Sequence, residues 1–180
     1  MRIIGGFCRG VRIKAPRCRD VRPTADMVRE ALFNILGDRI RGQNFVDIFA
    51  GSGAVGIEAL SRGARSCTFI EKNFMCVKII NENLKNAGLD SRAAVLGTDV
   101  LVALKILSRR KEDMPFIYLD PPYNSNLIPK ALNAISSSNM LPPGGLVMIE
   151  HHKRKNIHAE NWAVIDRKYY GDTALSFLRA

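Results

Sequence analysis

The chain has 180 residues, enough for one domain with a sizeable core and too few for two ordinary ones. Hydrophobic residues make up 47% of it, which excludes a disordered chain, and no apolar run approaches the ~20 residues that span a membrane. The net charge of +10 is uneven: residues 1–44 hold ten Arg or Lys against four acids, and nine of those ten cations are arginine. Arginine suits forked phosphate contacts, so a polyanion is expected as partner, nucleic acid before others. The apolar part of the N-terminus is too short for a signal peptide, which predicts a soluble cytoplasmic protein. Cys8, Cys18, Cys67 and Cys76 form no C-x-x-C pair and read as reduced thiols, with neither disulfides nor zinc.

Residues 2–14 read as a β-hairpin or small ribbon, with Gly5, Gly6 and Gly10 at its permissive positions. A basic loop, 16–22, leads to a helix start at Pro23-Thr24, with Thr24 as N-cap. Val28, Leu32, Ile35 and Leu36 fall at helical spacing, and Gly37 stops the helix. Arg22 and Arg29 are expected to face outward near its first turns. From Asn44 onward strands and helices alternate. Strands are predicted at 45–49, 67–70, 93–96, 116–119 and 146–150, and helices at 54–62, 73–87, 100–108 and 127–137. Two further strands, 162–165 and 175–178, meet near Gly171 with no helix between them. Alternation predicts a parallel sheet covered on both faces, and the last pair predicts a terminal antiparallel hairpin.

Two stretches carry chemistry. Gly51-Ser52-Gly53-Ala54-Val55-Gly56 matches G-x-G-x-x-G between a strand and a helix, and Glu71 follows Gly51 by 20 residues at the end of the next strand. That layout grips a ribose with a carboxylate and fits a nicotinamide dinucleotide as well. Asp47, four residues before the turn, instead suits a ligand bearing an ammonium group, and S-adenosylmethionine has an ammonium, a ribose and no phosphate. The second stretch, Asp120-Pro121-Pro122-Tyr123, ends a buried strand abruptly, because neither proline can donate to a sheet ladder. Asp120 and the Pro121 carbonyl can accept the two hydrogens of a planar exocyclic amine, and Tyr123 can stack on its ring. The chemistry is positioning and electrostatics. No ligand cluster for a metal is visible: His151 and His152 are adjacent, His158 stands apart, and all three read as solvated. At this level a nicotinamide oxidoreductase and a non-catalytic RNA-binding module remain as alternatives, and the residues do not choose guanine over adenine or RNA over DNA. No stretch is long enough for the separate target-reading domain that DNA-modifying enzymes of this kind carry.

Asp47-x-Phe49-x-Gly51-x-Gly53, Glu71, Asp99 and Asp120-Pro121-Pro122-Tyr123 together resemble the class I S-adenosylmethionine-dependent methyltransferases that modify amines. Arg2-Ile3-Ile4-Gly5-Gly6, Arg9-Gly10, Arg22-Pro23-Thr24, Val28-Arg29-Glu30 and Glu58-Ala59-Leu60-Ser61-Arg62-Gly63-Ala64 narrow the resemblance to the RsmD-type ribosomal RNA methyltransferases, up to about Glu150. That resemblance implies a Rossmann-like α/β fold, one domain over residues 1–180. Its sheet would be seven-stranded and mostly parallel, with helices on both faces. A small basic N-terminal β-hairpin, residues 1–22, would extend from a catalytic core at 23–180. It implies methyl transfer from S-adenosylmethionine to the exocyclic N2 of one guanine of 16S ribosomal RNA, in the small ribosomal subunit or its assembly intermediate, by a monomer. By motif, Asp47, Gly51, Ser52 and Gly53 would hold the methionine part of the cofactor, Glu71 its ribose, and Asp99 with Val100 its adenine, with Phe49 and Lys72 also in the cofactor site. Asp120, Pro121, Pro122 and Tyr123 would hold the guanine, and Arg2, Arg9, Arg12, Arg22, Thr24 and Arg29 would form the RNA face. Val11 stands where a basic residue is common, and Ala25 where a hydroxyl is usual.

Overall fold

The computed structural model describes residues 1–15, 26–122, 126–157 and 161–180. Seven strands form one sheet: β1 (Asn44–Ile48), β2 (Ser66–Ile70), β3 (Ala93–Leu96), β4 (Phe116–Leu119), β5 (Leu146–His152), β6 (Ala163–Tyr170) and β7 (Thr173–Arg179). Their spatial order is β3-β2-β1-β4-β5-β7-β6. The first five run parallel, and β7 pairs antiparallel with both β5 and β6. The expected mostly parallel sheet with a closing hairpin is therefore present. Among the described residues five α-helices accompany it: α1 (Asp26–Leu36), α2 (Ala54–Ser61), α3 (Phe74–Ala87), α4 (Val100–Ser108) and α5 (Leu127–Ser136).

Side-chain alternation sorts the layers. Phe45, Phe69 and Tyr118 point to one face and pack with α1, α2 and α3. Val46, Ile48, Ile117 and Leu119 point to the other and pack with α4 and α5. With both faces covered, the inner strands β1 and β4 are buried at every residue, as their unbroken apolar runs require. Helix ends follow local chemistry. Asn73 caps α3, accepting from the Met75 and Cys76 amides at 2.9 and 3.2 Å, and Gly88 closes it in the left-handed region.

Of the expected hairpin or small ribbon, the N-terminal segment forms the ribbon. Its ladder reduces to one antiparallel bridge, Arg2 with Arg12, flanked by the Ile3 N–H to Val11 carbonyl bond (3.0 Å) and the Ile13 N–H to Met1 carbonyl bond (3.0 Å). Side chains hold it more than pairing does. Ile3, Cys8 and Ile13 are buried in the α1–α3 core, and each isoleucine removed from water contributes about 1.5–3 kcal/mol. The ribbon lies so close to the end of α2 that a Cβ on Gly6 would sit 1.9 Å from the Ser61 carbonyl oxygen, at φ +76°. Only glycine fits there.

Two expectations change. His151 is buried rather than solvated: Nδ1 donates to the His152 carbonyl at 2.9 Å, and Nε2 meets Ser176 Oγ at 2.9 Å. Burial first, and the nearby Arg167 and Lys155 charges after it, hold its pKa below the ordinary histidine value. Phe49 is no strand residue: β1 ends at Ile48, and Phe49 turns through the left-handed region at φ +66°. Among the described residues no helix is long and apolar enough to cross a membrane.

Candidate active site

In this strand order, connections leave β1 toward β2 on one side and return to β4 on the other, so the direction of winding reverses between β1 and β4. Ligands of open α/β sheets bind in the crevice at that reversal, outside the carboxyl ends of the strands. The two chemical stretches meet there. The glycine turn leaves β1, Asp120 leaves β4, and the Asp120 amide donates to the Ile48 carbonyl across the two strands at 3.3 Å.

The turn is braced from below and from the side. Phe49 and Ala50 amides both donate to the Ile70 carbonyl, at 3.0 and 3.1 Å. The left-handed Phe49 costs on the order of 1–3 kcal/mol, and these bonds hold it. The third glycine of the motif is structural: a Cβ on Gly56 would lie 2.3 Å from the Phe69 ring and 2.6 Å from Cys67 Sγ, so α2 packs flush against β2. Glu71 lies partly exposed at the end of β2. Its Oε2 accepts from the Gly51 amide at 2.9 Å and its Oε1 from the Asn73 amide at 2.8 Å, which ties the turn to the start of α3.

Asp47, expected to favour a ligand's ammonium group, lies beneath the turn. It is 2% exposed, and Oδ2 accepts from the Gly56 amide at 2.9 Å. Burial pushes its pKa up to about 7. The Gly56 bond opposes the rise, and the Glu71 charge adds to it. Its first contact is thus the turn itself, at a site where its charge is in balance near neutrality.

Asp99 is exposed and caps α4 by accepting from the Leu101 amide at 2.9 Å, and Val100 beside it is buried. Lys72 is exposed next to Glu71. Asp120 is half-buried, Pro121 buried and Pro122 exposed. Tyr118, two residues before Asp120, donates to Glu150 at 2.5 Å across β4 and β5, fixing the strand that carries the acid. Tyr123, Arg22 and Thr24 lie outside the described residues. In the order β3, β2, β1, β4, the strand ends present Asp99, Glu71, the glycine turn and Asp120 in a row. At ~4.8 Å per strand the row extends ~14 Å.

The expected RNA-face arginines divide. Arg2, Arg9 and Arg12 are exposed on the ribbon, Arg2 reaching the Gly10 carbonyl at 2.9 Å. Arg29 is a correction: it is 0% exposed and holds the ribbon rather than facing solvent. Its Nη2 donates to the Arg2 carbonyl at 2.7 Å and to Asp26 at 3.1 Å, and its Nε lies 3.6 Å from Glu58. The position explains this, since Arg29 is one turn from Phe33 on the buried side of α1.

Two residues that sequence reasoning passed over connect the parts. Glu58 is fully buried on α2 and accepts from the Ile4 amide (2.8 Å), the Gly5 amide (2.7 Å) and Arg62 Nε (2.8 Å). Asn83 on α3 exchanges bonds with Lys14 (2.8 and 3.0 Å) and donates to the Ser52 carbonyl at 2.9 Å, which joins the ribbon to the glycine turn. Both are polar residues inside apolar helical stripes, Asn83 between Ile80 and Leu84. That mismatch is the signal that could have found them.

Comparison with known proteins gives the family. Residues 1–179 match the family model described as Conserved hypothetical protein 95. Ribosomal RNA small subunit methyltransferase D of Haemophilus influenzae is 35% identical over 173 residues, 95% of this chain and 89% of that one. The solved hypothetical protein TTHA0928 of Thermus thermophilus is 32% identical, with a TM-score of 0.87 over 100% of this chain and 99% of that one. A methyltransferase-fold chain solved in complex with SAH, SMU.776, shares the fold at 15% identity, with a TM-score of 0.69 over 86% of this chain and 48% of that one. Identity at this level, held across nearly the full length of both chains, settles the kinship: the chain belongs to the RsmD family of ribosomal RNA small subunit methyltransferases.

Proposed function

We propose that the protein transfers a methyl group from S-adenosylmethionine to the exocyclic N2 of a guanine in 16S ribosomal RNA, within an assembled or assembling small subunit. The observation that carries this reading is the meeting of the glycine turn and Asp120 across β1 and β4. The donor set fits the cofactor in kind. Glu71 and Asp99 stand at neighbouring strand ends as acceptors for a ribose and an adenine amine, with Val100 beside them, while Asp47 lies beneath the turn that would carry the methionine part and favours a cation there through its charge. Bound there, the cofactor supplies an electrophilic methyl on a sulfonium.

The protein's own groups do the rest. The amine lone pair of guanine is delocalised into its ring. Asp120 and the Pro121 carbonyl accept the two N–H groups, which favours the pyramidal amine and takes up positive charge as the new N–C bond forms. Tyr123, by its place in the motif, stacks on the base. The two prolines fix the strand exit so that these acceptors lose little entropy on binding. Reaching that crevice requires the base to leave its stack, which is cheapest in an unpaired or already distorted stretch of RNA.

Asp120→Ala is the direct test. It is expected to abolish methyl transfer to small subunits isolated from cells lacking the gene, measured with radiolabelled cofactor, while calorimetric cofactor affinity changes less than about threefold. Undiminished turnover in this variant would sink the catalytic assignment. Mapping the methylated nucleotide by reverse-transcription arrest and mass spectrometry then checks guanine N2 against adenine N6.

A further inference from the structure

The pole opposite the chemistry carries a groove. At the amino edge of the sheet, the tip of the ribbon, the end of α1 and the end of α2 enclose a groove of about 670 Å³. Phe7, Phe33, Asp38, Arg41 and Arg62 line it. Phe7 is 65% exposed at its rim, and the Arg92 guanidinium lies 5.0 Å from the centre of its ring. Arg62 lies over Phe33 at 5.2 Å.

Charge here runs one way. The turns that enter β1, β2 and β3 (residues 37–43, 62–65 and 88–92) carry Arg39, Arg41, Arg62, Arg65 and Arg92 against Asp38 and Asp90 alone. The turns leaving the carboxyl edge carry Glu71, Asp99 and Asp120 against Lys72. Helix C-termini favour cations and explain part of this. They do not explain an apolar ring left two-thirds in water. Arg92 covers one face of that ring, so the exposure lies on its other face and edge. Arg41 pairs with Asp38 at 2.9 Å, with the two side chains 72% and 87% exposed. Such a surface pair holds weakly, so the guanidinium can turn to a phosphate.

Resting on the proposed activity toward ribosomal RNA, we propose that this groove is a second RNA-docking surface. It takes an unstacked base on Phe7, whose far face Arg92 already covers, with the adjoining phosphate on Arg41. Aromatic rings beside arginines are how single-stranded RNA is held without strict sequence choice. The surface lies ~16 Å from the reacting edge, the length of β1. It therefore reads the fold of the RNA beyond the target nucleotide rather than the nucleotide itself.

Filter binding of the full-length protein to protein-free 16S ribosomal RNA and to isolated small subunits, at several salt concentrations, tests this. Phe7→Ala is expected to weaken binding to both about tenfold. Arg41→Glu is expected to flatten the salt dependence of both by about one phosphate contact or more. Cofactor affinity and the thermal midpoint stay as in the unmodified protein, and Phe7→Tyr restores binding. Unchanged binding to both substrates overturns the inference. Weakened binding to subunits with unchanged binding to protein-free RNA also overturns it, because the groove then faces a ribosomal protein. If the unmodified protein methylates subunits while these variants bind normally, only this surface falls; if it neither binds nor methylates them, the activity falls with it.

Discussion

Asp47 shows how one buried carboxylate can tie stability to ligand binding. Its pKa stands at about 7 in the fold against 3.8 for a free aspartate, with desolvation the main cause. Between those values the native state keeps a proton that the unfolded chain has released. Stability therefore falls as pH rises from about 4 to about 7, by an amount on the order of a few kcal/mol. A cationic ligand has the opposite preference, since it favours the ionised form. Cofactor affinity should then rise with pH through about 7. Denaturant unfolding and calorimetric titration between pH 5 and 8 should both flatten for Asp47→Asn, with weaker cofactor binding throughout. If the variant keeps the slopes of the parent, another group titrates there. The place of this acid on the strand was legible, because a lone carboxylate inside an apolar run four residues before a glycine turn marks itself. Its burial was not: nothing local to residues 47–56 tells whether the carboxylate opens to the crevice or bends under α2 to meet Gly56.

The elements were mostly legible, since unbroken apolar runs mark the inner strands, period-3.6 apolar patterns mark the helices, and glycines end several of them. The ribbon was the exception. Residues 2–14 read as a hairpin or small ribbon, but no local pattern told that Ile3, Cys8 and Ile13 bury it against α1, α2 and α3. Arg29 was misplaced for a related reason. Its residue type argued for solvent, but its turn of α1 belongs to the buried side, and the charge is matched by Glu58 on another helix, which no local pattern reveals. Removing one partner of a buried charged network typically costs about 3–5 kcal/mol, because the other is left unpaired. Glu58→Gln and Arg29→Met should each lower stability by about 3 kcal/mol in urea unfolding. The double variant should lose clearly less than the two losses added, since the groups act as one unit. Simple additivity would mean that Glu58 works through the ribbon amides of Ile4 and Gly5 alone. Gly6→Ala should also loosen the ribbon, because its methyl group has no room beside Ser61.

At the scale of the whole molecule, the chemistry and the charge occupy different places. Four of the acids, Asp47, Glu71, Asp99 and Asp120, gather where the strands end, with Lys72 as the near cation. This gathering depends on β4 lying beside β1 rather than beside β3, a rearrangement that the alternation of elements implies only through the general rule for doubly wound sheets. An edge so charged suits a cationic cofactor and repels phosphates. The grip on RNA must then come from surfaces around it, and the exposed Arg2, Arg9 and Arg12 of the ribbon are placed for that role. Arg29 is not, and its removal should be read as a stability change. Each phosphate contact to a single strand contributes about 0.7 to the slope of log affinity against log salt. Replacing Arg2, Arg9 and Arg12 together by alanine should lower that slope by about 2. The KM for RNA should rise while kcat at saturating RNA and cofactor affinity stay near those of the parent, because these side chains bind ground state and transition state alike. A fall in kcat with an unchanged salt slope would place the ribbon in the chemistry instead of the grip.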